Sequence, residues 1–435
     1  MKLVFFVFVM ISTLVRSQSQ SCNTKWWIGY GVDKYYLDFT GDDLVYTPFP
    51  SSDYMIDDEF DTSVEQTASF SVQDQLWLFS DGINLFDGRA DPPILVTAEL
   101  GSRNTEADPV IIFPLSGNCM GSFFAVIVQS RFGMILYYTI DVGNIPATIV
   151  SDQTISSTTS MEGMTIVASN SNPPDVWLVY TTPRNSSSFN IVTQKIHSSG
   201  ELGISRSLVV PHQPGRFGII SCRKTLCVLS LDYKFLLFNF DVTTGMLSLP
   251  QDITPESTFQ NVGFSILLSE NERFLYFVKG GSLRPAFLYL DGIYQMDLSN
   301  NNVVVRVDPE VNYFTGISLG PDGKIYLSRQ ETDQLGVINF PNQLCPACGF
   351  ELLPANGFNS SFRLVSETVC SDFPPVFSCS STNSHTPSNS QTESPTLSES
   401  ASTTPSSTIP TSTSPTSTIK ETSSPSPSIT ETNTP

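Results

Sequence analysis

Histidine is almost missing from this chain, with 3 among 435 residues. Hydrolytic triads and transition-metal centres are usually built around imidazole, so both are disfavoured from the start. His385 falls in a Ser/Thr-rich terminal stretch, which leaves His197 and His212, each in a loop after an apolar strand. No nucleophile elbow, phosphate loop or dinucleotide fingerprint surrounds them. Basic residues are scarce as well: Lys and Arg number 22 against 42 Asp and Glu, for a net charge of −20. None of them cluster, which excludes nucleic acid as a partner and disfavours an anionic membrane surface. Basic ligands and divalent cations stay open. No segment carries sustained helical periodicity, and no apolar run is long enough to span a bilayer comfortably.

What the chain does contain is a repeated β-unit, clearest between Gly316 and Phe340. An apolar run, Ile317-Ser318-Leu319, turns at Gly320-Pro321-Asp322-Gly323, returns as Lys324-Ile325-Tyr326-Leu327-Ser328, and a third stroke ends in Leu335-Gly336-Val337-Ile338-Asn339-Phe340. Proline presets φ early in the turn and glycine tolerates positive φ at its end, so the first two strokes form a tight hairpin. The returning strand recurs upstream at Phe274–Phe277, Leu226–Leu229, Val176–Val179, Phe123–Val126 and Leu76–Phe79. Neighbouring copies lie about fifty residues apart, the spacing of propeller blades. The third stroke often closes on an apolar residue plus Asp: Phe86-Asp87, Ile140-Asp141, Phe240-Asp241 and Met296-Asp297.

One further step of about fifty residues upstream lands on Trp26-Trp27-Ile28-Gly29. The expectation is therefore an all-β, seven-bladed β-propeller over residues 22–379, with a closing blade shared between Trp26–Gly31 and Phe362–Val365. Radial repetition suits a region longer than a single core supports, because each sheet buries its faces against its neighbours. Cys22, with Cys370 or Cys379, stands where it could pin the two ends together.

Residues 1–17 read as a secretory signal: Lys2, an apolar run from Leu3 to Val15, and Val15-Arg16-Ser17 as the cleavage site, a retained anchor being the alternative. Export agrees with 8 cysteines. Cys222 and Cys227 bracket a hairpin loop and are expected to pair across it. Cys345 and Cys348 flank Pro346-Ala347, a spacing that raises zinc or redox chemistry in the cytosol. In an exported chain they are expected to bridge structurally, to each other or to Cys370 or Cys379.

From Ser380 to Pro435 roughly three quarters of the residues are Ser, Thr or Pro, a composition that forms no core and reads as an extended, mucin-like, O-glycosylated stalk. An unmodified linker is the alternative. No membrane span or lipid-anchor signal follows it, so the expectation is release or attachment through a further segment. Two N-glycosylation sequons occur, at Asn185 and Asn359.

Carboxylates are the remaining source of chemistry. Asp57, Asp58, Glu59 and Asp61 form the densest acidic cluster, and Asp81, Asp87 and Asp91 a second. Their spacing does not fit a calcium loop ending in Glu, so they are read as solvated loop carboxylates, with calcium the weaker candidate ligand and no cofactor expected. A propeller glycosidase would need only a carboxylate pair.

The ordered set Trp26-Trp27-Ile28-Gly29, Leu76–Gly82 with Asn84–Asp87, Leu319–Tyr326 and Val337–Asn342 resembles the WD-repeat-like propeller domains of large secreted surface proteins, including gliding-motility-associated proteins of bacteria. That resemblance spans about residues 24–375. It implies a seven-bladed, exported, non-catalytic surface module and carries over no catalytic residues. The sorting domain and immunoglobulin-like repeats of such proteins are absent, and a mucin-like tail stands in their place. The expected function is an extracellular recognition or adhesion module binding a protein or glycan at a propeller rim. The alternative is a secreted propeller hydrolase or lyase acting on carbohydrate or a lactone.

Overall fold

The computed structural model describes residues 25–30, 33–38 and 45–48, most of 66–354, and 363–364. The chain divides into two units, Met1–Ser380 and Ser381–Pro435, the second lying outside the described residues. No helix among the described residues is long and apolar enough to cross a membrane.

The first unit is a β-propeller of six blades. Each blade is an antiparallel meander, as expected where short Val-, Ile- and Phe-rich runs alternate with turn residues. Blade 1 comprises Gln66–Val72, Gln75–Ser80, Leu85–Asp87 and Ile94–Thr97. Blade 2 comprises Val110–Pro114, Phe123–Gln129, Ile135–Asp141 and Thr148–Ser156, and blade 3 Met164–Ala168, Val176–Asn185, Ser188–Ile196 and Leu202–Val210. Blade 4 is Ile219–Cys222, Leu226–Leu231 and Lys234–Asp241, flanked by the short pieces Met246–Leu247 and Gln251–Asp252. Blade 5 is Ser265–Leu268, Phe274–Lys279, Gly292–Asp297 and Val303–Arg306; blade 6 is Phe314–Leu319, Ile325–Arg329, Gln334–Ile338 and Phe350–Pro354. The first strands of blades 1 and 2, 3 and 4, 4 and 5, and 5 and 6 lie beside one another, toward the centre of the ring.

The expected seventh blade does not form. Lys25–Tyr30, Asp33–Asp38 and Val45–Pro48 pair among themselves as a separate three-stranded sheet beside the first strand of blade 1. Arg363–Leu364 does not join that sheet. It pairs in parallel with Gln66–Thr67, taking the open edge of blade 1's first strand and lying against the first strand of blade 6. The first and last described strands thus both lie against blade 1. A closing blade is unnecessary because the amino-terminal strands already have antiparallel partners within their own meander.

Among the described residues burial follows the radial plan, with no single core but a packet of apolar side chains at each of the five interfaces from blade 1 to blade 6. Phe70, Leu78, Phe124 and Val126 fill the gap between blades 1 and 2, and Phe113, Ile127, Tyr137 and Leu178 that between blades 2 and 3. Trp177, Phe189, Leu229 and Phe238 fill the next, followed by Phe235, Ile266, Leu275 and Phe277 between blades 4 and 5. Tyr276, Phe314, Ile325 and Leu327 fill the gap between blades 5 and 6. Phe70 meets Phe124 edge-on at 5.0 Å, and Phe235 meets Phe277 at 4.9 Å, distances that add aromatic attraction to area burial.

Two disulfides are present among the described residues. Cys222 and Cys227 are directly paired residues at the end of a blade 4 hairpin, with Cα atoms 4.1 Å apart. Cys345 and Cys348 pair with each other at 4.6 Å, within the turn between the third and fourth strands of blade 6, and not with Cys370 or Cys379. Cys22, Cys119, Cys370 and Cys379 lie outside the described residues.

The turn ending at Gly245 illustrates how tightly neighbouring blades meet. Its φ is +71°, and a Cβ there would come 2.3 Å from the buried ring of Trp177 in the preceding blade. We expect Gly245→Ala to lose roughly 3 kcal/mol through left-handed strain combined with overpacking. A thermal melt followed by tryptophan fluorescence checks this, and an unchanged midpoint would contradict the packing described.

Candidate functional site

Because each blade is a meander, its first-to-second and third-to-fourth strand turns emerge at the same end, and its second-to-third hairpin at the other. The first end, here the turn rim, holds most of the described turns and both disulfides. It is also where neighbouring blades are bonded.

The repeated Asp at the close of the third strand builds these turns. Asp87, Asp141, Asp241 and Asp297 each accept, through Oδ1, the backbone N–H two residues on, at Arg89, Gly143, Thr243 and Ser299. This is an Asx turn, in which a side-chain carboxylate takes the place of a backbone carbonyl. Blade 3 has Ile196-His197 at this position, and Asp175 from the start of the second strand substitutes by accepting Ser198 N–H at 2.9 Å.

Side chains of one blade then donate to the turn of the next. Arg89, held bidentately on Asp87 at 2.9 and 2.7 Å, donates to the carbonyls of Val142 and Asn144 in blade 2. Tyr137 of blade 2 donates its hydroxyl to Gly200 O in blade 3 at 2.9 Å. In blade 3, Trp177 Nε1 donates to Val242 O and Thr193 Oγ1 to Gly245 O, both at 2.7 Å. Tyr276 of blade 5 donates to Pro341 O at 2.9 Å in blade 6. Between blades 4 and 5 the first hairpins do this work: Glu272 accepts from Thr225 and Leu226, and Arg223 Nε donates to Leu268 O at 3.2 Å.

The bonding is densest at the Cys345–Cys348 turn. The fully buried Gln295 of blade 5 donates to Gln343 O at 2.7 Å and to the Tyr276 hydroxyl at 2.6 Å, and its Oε1 accepts Cys345 N–H at 2.9 Å. On this constrained turn Phe340 is 55% exposed and Leu344 42% exposed. Ile145 in the corresponding turn of blade 2 is 56% exposed.

The ionisable groups of this rim are engaged in holding it. At Asp297, hydrogen bonds from Arg273 at 3.2 and 2.7 Å, against a smaller opposing effect of burial, hold the carboxyl down to about 2. At Asp87 burial pushes upward, but hydrogen bonds from Arg89 and from Ala147 N–H outweigh it and keep the carboxyl below its usual range. Asp175 is lowered in the same way, burial being outweighed by Lys195 at 2.8 Å and by Ser198 N–H. His197 Nδ1 stands 3.5 Å from Asp175 Oδ1. Among the described residues no group of three or more His, Cys, Asp or Glu side chains converges as a metal site.

Of the second acidic cluster, Asp87 is a buried turn former and Asp91 an exposed turn residue, while Asp81 lies outside the described residues. So do Asp57, Asp58, Glu59, Asp61, His212, His385 and Asn359. Asn185 ends the second strand of blade 3, at the opposite rim. The sequence reading missed Arg89, Gln295, Arg273 and Glu272. Asp87-Gly88-Arg89 carried a local signal, whereas Gln295 finds its partner 48 residues away and carried none.

No protein-family model matches this chain, and no curated protein matches it. The WD-repeat-like resemblance therefore has no matching family behind it. Solved structures with a similar fold include a provisionally named 6-phosphogluconolactonase from Bacteroides fragilis, at 11% identity and a TM-score of 0.45, covering 78% of this chain and 96% of that one. A virginiamycin B lyase from Staphylococcus aureus follows at 11% identity and 0.43, covering 68% and 86%. A functionally unknown protein from Desulfotomaculum acetoxidans shows 15% identity and 0.40, covering 66% and 79%. Likeness at this level carries no inference about activity.

Two expectations follow from the rim. Since the folded pKa of Asp297 is depressed, its contribution is complete above the unfolded carboxylate value and is lost as pH falls from near 4 toward 2. Asp297→Asn should flatten that part of the acid-unfolding curve, and an unaltered acid limb would contradict the pairing. Gln295→Leu should cost about 2 kcal/mol in chemical denaturation, because it strands Cys345 N–H in a buried site and removes the donor to Gln343 O.

Proposed function

We propose that this chain is an exported, non-catalytic recognition module whose propeller presents the turn rim to a protein or glycan ligand. The observation that carries this reading is the blade 6 turn. A disulfide closes it and Gln295 and Tyr276 grip its backbone, yet it holds Phe340 and Leu344 in solvent. An aromatic side chain on a preorganised turn loses little entropy on binding, which is how interface anchors gain affinity. The carboxylates of the same rim are occupied in Asx turns and ion pairs, so a role in positioning accounts for them. The secretory signal reading places the module outside the cell, and the Ser/Thr/Pro-rich segment would carry it as a stalk.

The test is a glycan and cell-surface protein array probed with the full secreted chain. Saturable binding without turnover is expected, weakened about tenfold or more by Phe340→Ala combined with Leu344→Ser. Turnover of a carbohydrate or lactone that disappears in Asp58→Asn or Asp81→Asn would overturn the proposal in favour of a hydrolase or lyase.

A further inference from the structure

The outer edge of a propeller blade is its fourth strand, whose far side offers backbone N–H and C=O groups to any strand that comes alongside. Most blades here blunt that edge. The fourth strands of blades 1 and 5 are 4 residues long, that of blade 4 is split into two pieces of 2, and that of blade 6 ends at Pro354 after 5. Blades 2 and 3 leave it long. Thr148–Ser156 and Leu202–Val210 are edge strands of 9 residues each, and neither contains proline. Each carries a single charged residue, at its central position, and the two are opposite in sign: Asp152 and Arg206. Both are exposed, and neither has an ion-pair partner among the described residues; Arg206 donates through Nε to Thr244 O at 2.6 Å. The irregularities in the two ladders fall outside Ser151–Thr154 and Ser205–Val210, so each strand is regular around its charge.

The faces on which these charges stand select one way of joining the edges. Asp152 is paired with Tyr138, which packs between blades 1 and 2, so it faces back toward blade 1. Arg206 reaches Thr244 and so faces forward toward blade 4. An antiparallel join would keep the forward faces on one side of the combined sheet and put the two charges on opposite sides. A parallel join turns one sheet over and sets Asp152 beside Arg206. It also brings Val150 and Ile204, exposed apolar residues two positions before each charge, to the same end of the contact. Pairing of either strand about its centre with its own copy would instead set a charge against itself.

We propose that the fourth strand of blade 2 pairs in parallel with the fourth strand of blade 3 in a second copy of this chain, in register at Asp152 and Arg206. Each chain carries both edges, so the contact is heterologous and extends beyond two copies. Parallel joining points the propeller axes the same way, and neighbouring copies present the same rim. The association stands independently of the ligand proposed for that rim.

Sedimentation velocity of the full secreted chain over a wide range of concentration tests this, and species larger than the monomer are expected to grow with concentration. Asp152→Arg and Arg206→Asp should each weaken association roughly tenfold, because each sets like charges side by side. An equimolar mixture of the two variants, whose cross-contacts pair Arg with Asp, should associate like the unaltered chain. Both positions are exposed, and unchanged melting temperatures show that the variants fold. A monomer at every concentration overturns the proposal. So does association that neither variant weakens or that the mixture fails to restore.

Discussion

The constraint on which the molecule depends is the capture of one blade's turn by side chains of the blade before it. A turn leaves backbone carbonyls without ladder partners, and where two sheets pack those carbonyls are shielded from water. Each must find a donor or cost the folded state the desolvation of a bare polar group. Arg89, Tyr137, Trp177 and Tyr276 supply those donors at four of the interfaces. The apolar packets alone would permit neighbouring sheets to slide, since hydrophobic contact is non-directional. Directional bonds to single carbonyls fix the register of successive blades from blade 1 to blade 6.

This arrangement explains why carboxylates that look like candidate chemistry in a linear reading are structural. Asp87 and Asp297 each orient an arginine and close an Asx turn, so a single residue type repeated at blade spacing shapes the turn and, in blade 1, aims the donor that crosses to blade 2. It also explains the positions of the disulfides. Cys222–Cys227 closes a hairpin where blades 4 and 5 exchange bonds through Arg223, Thr225 and Glu272, and Cys345–Cys348 closes the turn that Gln295 grips. Covalent closure and interblade bonding coincide at one end of the propeller, which makes that end the rigid one.

Much of the fold was legible in the sequence, because alternating apolar residues and turn dipeptides are local signals. The three strands around Gly320–Lys324 and the third strands ending in Asp87, Asp141, Asp241 and Asp297 fall where the pattern puts them. The Cys222–Cys227 pair was legible for the same reason, a short hairpin having one cross-strand geometry. Blade number was not, because Trp26-Trp27-Ile28-Gly29 carries the same strand signal whether it joins Phe362–Val365 or pairs with Asp33–Asp38. Nothing local in Arg363-Leu364 states that it will run parallel to Gln66-Thr67. The site was less legible still: donors such as Tyr276 and Gln295 look like ordinary strand residues until the next blade brings a carbonyl to them.

Native-state hydrogen exchange on the full chain measures the central claim most directly. If captured turns are what lock the blades together, the hydrogen-bonded amides of Gly245, Ala147 and Cys345 should exchange only through the same large opening that releases the central strands, with similar free energies. Exchange of those amides through a separate, low-energy local opening, while the strands stay protected, would contradict the account.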